Sequence, residues 1–497
     1  MDYELMTNAV LTVFQPQIMA WLVAGLLLGF FIGAVPGFND TNILAMMLPF
    51  SVYMGPLKAV IFMMAVFGGS QAAGPIPAIL MNMPGTPSAA AVCLDGYAMT
   101  RKGLAKKALG ASLLASTFGG VFGALVCIFL GPLVGQYALS FGPAEMFMLS
   151  IFGLSAVATL AGKNPLKGLL SAVFGLLVAT IGMETVMGYT RSSFGFMELY
   201  DGVPLIPVLL GLFGFAELFD MVNEENIVEN AGKGASSCTL WDGIRESMKY
   251  KLLMLRSSVV GVIIGIIPGT GAAIASWISY GQAKQTSKHP EEFGKGSPEA
   301  LVAVSACNNA VTGGALIPTI TLGIPGSGTT LVIMTALMIN NIQPGPSMFN
   351  EFAGDAYTIF FSLLVGNVIM FFLGLAAFSM FSKTASIPTK ILVPIIALFS
   401  LTGSFAFREM SFDFSLTLIF GLLGWLMKRY GYSPPAFLLS LILGKLAETN
   451  FIWAMKLEGV KLFVRPIVLV LLALTFATLL APFFLRMLKE RGKTAPR

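Results

Sequence analysis

Charge is what this chain has least of. Only 11% of its 497 residues are Asp, Glu, Lys or Arg, and 56% are hydrophobic. A soluble globular chain carries about 25% charged residues, so there is too little polar surface here to cover a soluble core. Histidine is nearly absent too. The single copy, His289, lies beside Pro290 and Glu291 in a polar stretch, which excludes a multi-histidine metal site and a Ser-His-Asp triad. Cys93, Cys127, Cys238 and Cys307 show no CxxC spacing. They are expected as small packing residues, not as a zinc or redox site. Residues 1–17 hold Asp2 and Glu4 but no Lys or Arg, whereas a cleavable signal begins with a basic region. The net charge of +5 is modest and speaks for topology, not for nucleic acid.

What the chain does have is apolar length. Mean hydropathy is +0.81, and stretches of about 20 residues, enough to cross ~30 Å of hydrocarbon, recur along the sequence. They fall at 18–38, 108–137, 143–162, 164–183, 203–222, 256–281, 356–381, 388–407, 411–428, 434–453 and 461–485. The expected fold is an all-α integral membrane protein with several spans. A mixed-charge stretch at 223–255 is expected to be a cytoplasmic linker. Lys58 is the sole basic residue among the first hundred, while the tail carries Arg486, Lys489, Arg491, Lys493 and Arg497. The positive-inside rule therefore puts the C-terminus in the cytoplasm and the N-terminus outside.

The chain also repeats itself. Gly29-x-x-x-Gly33-x-x-Pro36-Gly37 matches Gly261-x-x-x-Gly265-x-x-Pro268-Gly269 at an offset of 232. Pro77 with Pro84-Gly85-Thr86 matches Pro318 with Pro325-Gly326-Ser327 at 241. Phe174-Gly175-Leu176-Leu177 matches Phe420-Gly421-Leu422-Leu423, and Ala216-Glu217 matches Ala447-Glu448, in the same order. The expected division is repeat A over 1–222, the linker over 223–255, repeat B over 256–455, and a final span with basic tail over 456–497. An odd number of crossings per repeat would make the two inverted. Repeats with broken helices are characteristic of secondary transporters, whose site lies at the repeat interface.

Each repeat breaks its helices in the same way. A Pro-Gly pair costs a helix interior ~4 kcal/mol against Ala. In hydrocarbon, such breaks survive only within protein or beside a wet cavity. Polar residues follow each break: Asn39-Asp40-Thr41 after Gly37, Thr86 and Ser88 after Pro84-Gly85, Thr270 after Gly269, and Ser327-Gly328-Thr329 after Pro325-Gly326. A helix restarting there points free N–H groups at an anion, and freed carbonyls suit a small cation. Gly29 and Gly33 read as packing residues. Asn308-Asn309 with Thr312 form a further candidate, for ligand contact or for hydrogen bonding between helices. Asp40 suits a cation partner and an ordinary N-cap equally. Glu217 and Glu448 read as interfacial. No Walker sequence is present, and Gly269-Thr-Gly271 follows an apolar span instead of a strand, so no enzyme activity is indicated.

With these elements in hand, the chain resembles the large membrane subunit (TctA) of the tripartite tricarboxylate transporter family. The resemblance rests on Gly33-Ala-Val-Pro36-Gly37, Ile79-Leu-Met-Asn-Met-Pro84-Gly85-Thr86-Pro87 and Leu94-Asp95-Gly96-Tyr97 in the first half. In the second half it rests on Gly265-Ile-Ile-Pro268-Gly269, Glu292-Phe-Gly-Lys-Gly296, Asn308-Asn309-Ala310, Leu322-Gly-Ile-Pro325-Gly326-Ser327 and Gln343-Pro-Gly-Pro346. It implies a secondary transporter in a bacterial inner membrane that imports a tricarboxylate, dicarboxylate or aromatic acid, with Na⁺ as coupling ion or H⁺ as the alternative. It implies two partners, a small TctB-like membrane subunit and a periplasmic TctC-like solute-binding protein. It further implies an elevator-like mechanism with re-entrant hairpins at about 69–93 and 312–340. No resident cofactor, metal or nucleic acid is implied. One departure is Ser305, where the family commonly carries an acidic residue.

Overall fold

The computed structural model describes residues 3–35, 40–82, 84–138, 140–160, 165–184, 186, 188–221, 238–268, 271–381 and 389–493. The chain is helical nearly throughout. It opens with α1 (Tyr3–Val13), α2 (Pro16–Gly33), α3 (Asp40–Ser51), α4 (Pro56–Ala73), α5 (Pro75–Met81), α6 (Ala90–Arg101) and α7 (Ala105–Ala138). It continues through α8 (Pro143–Leu160), α9 (Pro165–Ala179), α10 (Leu205–Leu209), α11 (Ala216–Met221) and α12 (Leu240–Ser247). Then come α13 (Lys251–Ile266), α14 (Gly271–Thr286), α15 (Pro298–Thr321), α16 (Gly328–Ile339), α17 (Met348–Glu351) and α18 (Ala353–Phe381). The last four are α19 (Thr389–Arg408), α20 (Ser411–Arg429), α21 (Pro434–Glu458) and α22 (Pro466–Lys493). A two-residue antiparallel ribbon, Gly182–Met183 with Thr190–Arg191, is the only sheet among the described residues.

Seven helical segments among the described residues are long and apolar enough to cross a membrane: Pro16–Gly33, Pro56–Met81, Ala105–Tyr137, Pro298–Thr321, Ala353–Ala377, Ser411–Arg429 and Pro434–Val464. This is a multi-pass membrane protein. Two of the seven, Pro56–Met81 and Pro298–Thr321, lead into the Pro-Gly breaks at Pro84-Gly85 and Pro325-Gly326, and both are buried along their whole apolar window. Most of their prolines fall near helix starts, where a helix tolerates them, while Pro318 lies within the last turn of α15. Pro75 is the first residue of α5, and Gly74 before it keeps right-handed helical angles, φ −50° and ψ −35°. The expected span at 256–281 is divided, since α13 stops at Ile266 and α14 restarts at Gly271, whose φ is +64°. The stretch 203–222 is likewise composite, with a π-helical turn at Leu210–Phe215 between α10 and α11.

By contacts the chain forms two compact units, Met1–Ala138 with Glu217–Glu409, and Leu139–Ala216 with Met410–Arg497. In the first unit, α2 lies along α4 because Gly25, Gly29 and Gly33 meet Phe62, Val66 and Ser70 backbone to backbone. The pairs advance together, so the two helices run parallel. The same contact recurs between α13 and α15, where Gly261 meets Cys307 and Gly265 meets Val311. The packing role expected of Gly29 and Gly33 is thus visible in the geometry. Gly119 and Gly123 let α7 approach Ala306 and Ala310 of α15 just as closely. The α4–α5 rod ends beside α6, where Ile79 meets Gly96 and the Thr100 hydroxyl donates to the Ile79 carbonyl at 2.7 Å. The loop that starts α15 sits there too, since Lys102 Nζ donates to the Lys295 carbonyl at 2.6 Å. So α4–α5 runs toward the end from which α15 departs.

In the second unit, Gly175 of α9 seats against the Phe437 carbonyl of α21, and Gly211 and Gly424 bring the π-helical turn and α20 together. Ion pairs tie its polar margins. Arg465 holds Glu145 at 2.8 Å and Glu458 at 2.6 Å, and Arg191 pairs with Glu448. Glu448 therefore serves as a partner for Arg191, while the side chain of Glu217 lies outside the described residues.

Candidate functional site

Two helix breaks in the first unit fold back as tight tips. The first follows α5, which ends on Asn82 in the left-handed region at φ +61°. The tip then returns on itself, Gly85 N donating to the Gly74 carbonyl at 3.1 Å. A Cβ on Gly85 would collide with the Gly33 carbonyl and with Gly74. Thr86 leaves in extended conformation, Pro87 opens a 3-10 turn, and α6 begins at Ala90. The second tip follows α15 through Gly323, at φ +68°. There Ile324 N donates to the Pro318 carbonyl at 3.2 Å, and Gly326 N to the Thr319 hydroxyl at 3.3 Å. Gly326 abuts Ala315 and the Gly265 carbonyl. Ser327 caps α16 in a reciprocal box with Thr330, at 2.9 and 3.2 Å, which satisfies two of the donors a helix start leaves open.

The two tips meet at the start of α3. Asp40 Oδ2 accepts from Gln71 Nε2 of α4 and from the Thr329 hydroxyl of α16, both at 2.9 Å. The Thr41 and Thr329 hydroxyls share a bond of 3.0 Å. Gln71 turns its other face to the first tip, Oε1 accepting from the Ser88 hydroxyl at 2.7 Å, and Ser88 and Thr86 share a bond of 2.9 Å. An amide that donates to a carboxylate and accepts from a hydroxyl has its orientation fixed by that network. Asn308 of α15 approaches from the far side, Nδ2 reaching the Gln71 carbonyl at 3.4 Å, while its Oδ1 finds no partner. Every one of these side chains is buried. Ten residues into the 24-residue α15, Asn308 stands about 15 Å from the helix start.

Of the residues singled out in the sequence, Asp40, Thr41, Thr86, Ser88 and Thr329 come together, with Asn308 at the edge. Pro84, Gly85, Pro325, Gly326 and Gly328 shape the tips. Ser327 turns to its capping bond and not to Asp40. Asn309 faces elsewhere, donating to the Ser116 carbonyl at 3.0 Å and Asn367 Oδ1 at 2.9 Å, which is the hydrogen bond between helices. Thr312 bonds back to the Asn309 carbonyl at 2.6 Å. Gly37, Asn39, Gly269 and Thr270 lie outside the described residues. Ser305 pairs with Ser112 of α7 at 2.8 Å.

Two residues escaped the sequence reading. Gln71 is the hub of the site, and its signal was an amide standing among small apolar residues, the same argument that drew attention to Asn308. The second is Asp95, only 1% exposed, which the sequence presented only as a member of the Leu94–Tyr97 motif. Its carboxylate accepts from the backbone N–H groups of Gly294 at 2.9 Å, Gly296 at 2.9 Å and Ser297 at 2.7 Å, and from the Tyr280 hydroxyl at 3.1 Å. It thereby ties the outer arm of the first hairpin to the loop before α15, joining the Leu94–Tyr97 and Glu292–Gly296 motifs.

The profile of the tripartite tricarboxylate transporter TctA family matches residues 19–439. The chain belongs to that family. This makes it a tricarboxylate transporter subunit, and both tips and all of α3, α4, α15 and α16 lie within the matched TctA region. A curated relative, the uncharacterized 52.8 kDa protein of the TAR-I ttuC' 3'region of Agrobacterium vitis, is 33% identical over 485 residues, 97% of this chain and 96% of that protein. An uncharacterized protein of the TAR-II ttuC' 3'region of the same organism is 33% identical over 195 residues, 39% of this chain and 81% of that protein. No solved structure matches this TctA-family chain.

Proposed function

We propose that this chain is the transport subunit of a carrier that imports a small carboxylate anion (a tricarboxylate, dicarboxylate or aromatic acid) by cation-coupled secondary transport. The observation that carries this reading is the meeting of both hairpin tips with Asp40 in one buried chain of hydrogen bonds. The hydroxyls of Thr86, Ser88 and Thr329, with the N-terminus of the 12-residue α16, suit an anion held without Arg or Lys. Na⁺ is the proposed coupling ion, with H⁺ the alternative. Because one charge crossing 100 mV gains ~2.3 kcal/mol, surplus cations would drive uptake of a multivalent anion.

The two-repeat reading draws support from equivalent packing. Gly85 rests on Gly33 and Gly326 on Gly265, the pairing that the sequence offsets of 232 and 241 call for. That α4–α5 runs toward the end where α15 begins suits inverted repeats, and the interleaved units suit an elevator-like step of the site-bearing unit. Orientation follows from charge. Arg101, Lys102, Lys107, Lys249, Lys251 and Lys295 belong to the margin that Lys102–Lys295 and Lys107–Glu246 contacts bind together, and the positive-inside rule makes it cytoplasmic. A cytoplasmic C-terminus and a bacterial inner membrane complete the reading. A small TctB-like membrane subunit and a TctC-like extracytoplasmic binding protein would complete the carrier.

Vesicle uptake of labelled carboxylates, with both partners present and a Na⁺ gradient imposed or collapsed, tests the proposal. Saturable uptake requiring the binding protein is expected, and Gly326→Pro should abolish it at normal membrane expression. Linear flux, or no uptake of any acid by a folded complex, would refute it.

A further inference from the structure

The second unit carries a groove that the carboxylate site does not use. Phe437 of α21 is fully buried and touches Phe174 of α9 at 5.4 Å and Phe420 of α20 at 6.0 Å between ring centroids. Because α9 and α20 both lean on α21, a groove of about 250 Å³ is left between them. Leu170, Phe174, Leu423, Leu426 and Met427 line it, and Leu170 and Phe174 are exposed. The hydroxyl of Ser171 in its wall is already satisfied, donating to the Lys167 carbonyl at 2.7 Å and accepting from Ser433 N at 3.0 Å. Such a lining suits hydrocarbon better than water or a free ion.

The mouth of the groove is cationic and aromatic. Tyr430 and Tyr432 stand there. Lys167 Nζ donates to the Tyr430 carbonyl at 2.6 Å and lies 5.5 Å from the Tyr432 ring, so two of its three donors are left for a guest. The exposed Arg429 packs over the Trp425 ring at 5.1 Å. Neither cation has an acidic partner among the described residues, and the stretches 165–168 and 428–434 that carry them contain no Asp or Glu. The mouth also lies at a membrane margin. Helices α8 and α22 start together where Arg465 holds Glu145, and they are still paired at Ser155 and Thr478, 3.0 Å apart. They therefore run in the same direction, and α22 ends at the margin where α8 gives way to α9. The basic tail beyond it marks that margin as cytoplasmic.

We propose that this groove binds an anionic phospholipid of the cytoplasmic leaflet, with one acyl chain between α9 and α20 and the phosphate on Lys167 and Arg429. Charge complementarity selects the occupant. A zwitterionic lipid leaves two cations unbalanced, and a soluble phosphate makes no use of the apolar groove. Basic pockets between transmembrane helices on the cytoplasmic side suit acidic headgroups, and Trp and Tyr belong at that depth. The site rests on the membrane reading and its charge-based orientation, not on the carboxylate.

The purified full-length chain in neutral detergent would be titrated with dioleoyl phosphatidylglycerol or dioleoyl phosphatidylcholine while its thermal midpoint is followed. A saturable rise is expected with the anionic lipid, at concentrations where the zwitterionic one does little. One charge beside an acidic headgroup changes affinity about fivefold. Lys167→Gln combined with Arg429→Gln should therefore weaken the response on the order of thirtyfold, with cooperative melting in lipid-free detergent as the check on folding. If that pair does not fold, Arg429→Gln alone, on an exposed side chain, should weaken it about fivefold. Leu170→Trp fills the groove from its exposed wall, keeps both charges and should remove the response. Equal responses to the two lipids, or charge variants that respond as the wild type does, overturn the headgroup contact. An equal rise with glycerol phosphate, which has the headgroup without the chains, overturns the lipid in favour of a phosphate site. If Leu170→Trp leaves the lipid response intact but costs the chain its small membrane partner, the groove belongs to a protein and the proposal falls.

Discussion

Replacing Asp95 with Asn should release the loop before α15 from the first hairpin. The carboxylate accepts three backbone N–H groups and one hydroxyl at 2.7 to 3.1 Å while almost fully buried. A hydrogen bond to a charged acceptor contributes about 1.5–3 kcal/mol, so four would sum to roughly 6–12 kcal/mol if they were independent. They are not, because they share one acceptor and water can reach the neighbouring exposed Glu291 and Glu292. Asn can keep its oxygen where Oδ1 faces Gly294, Gly296 and Ser297, but it removes the charge that strengthens those three bonds, about 1 kcal/mol each or about 3 kcal/mol together. Since ~1.4 kcal/mol is a factor of ten, the loop should open on the order of a hundredfold more often. Hydrogen exchange reads this directly, as the amides of Gly294, Gly296 and Ser297 are the bonded donors. Peptides covering 288–298 should exchange about a hundredfold faster in the variant, while those from α21 stay unchanged. Equal exchange in variant and wild type, or acceleration spread evenly through both units, would refute the latch.

Glycine substitutions should divide sharply by position. A Cβ at Gly29 would enter the Val66 carbonyl, whereas one at Gly68 meets nothing within 4 Å; Gly29→Ala should lower the thermal midpoint and Gly68→Ala should leave it unchanged or raise it, by up to about 1 kcal/mol of helix propensity. Acid should loosen α12. The Thr239 backbone N–H and hydroxyl hold Asp242 below its ordinary 3.8, so its contribution is complete above that value and lost as pH falls through the lower folded one. Exchange of the 240–247 amides should therefore quicken at acid pH in the wild type, and already at neutral pH in Asp242→Asn; a variant identical to wild type at neutral pH would contradict the cap.

Much of this protein was legible before any coordinates. Membrane class follows from composition, because partition into hydrocarbon is a local property that sums along the chain. Helix breaks at Pro84-Gly85 and Pro325-Gly326 were legible for the same reason, since the penalty of Pro and Gly belongs to the residue itself. Spans were less so: hydropathy alone runs straight through 256–281, where the backbone turns at Gly271. Among the polar candidates, the sequence ranked Asn308 and Asn309 together, and only packing separated them. A step of one residue turns a helix side chain by about 100°, sending Asn308 to Gln71 and Asn309 to Asn367.

Residue type, spacing and repetition thus determined which side chains were costly to bury and where the helices had to stop. Which of those costs cancel one another was decided by tertiary structure alone. Thr329 meets Asp40 across 289 positions, and Ser297 meets Asp95 across 202. Such pairings depend on the glycine contacts that set how closely α2, α4, α13 and α15 approach, and that closeness is a property of surfaces which no stretch of sequence carries by itself.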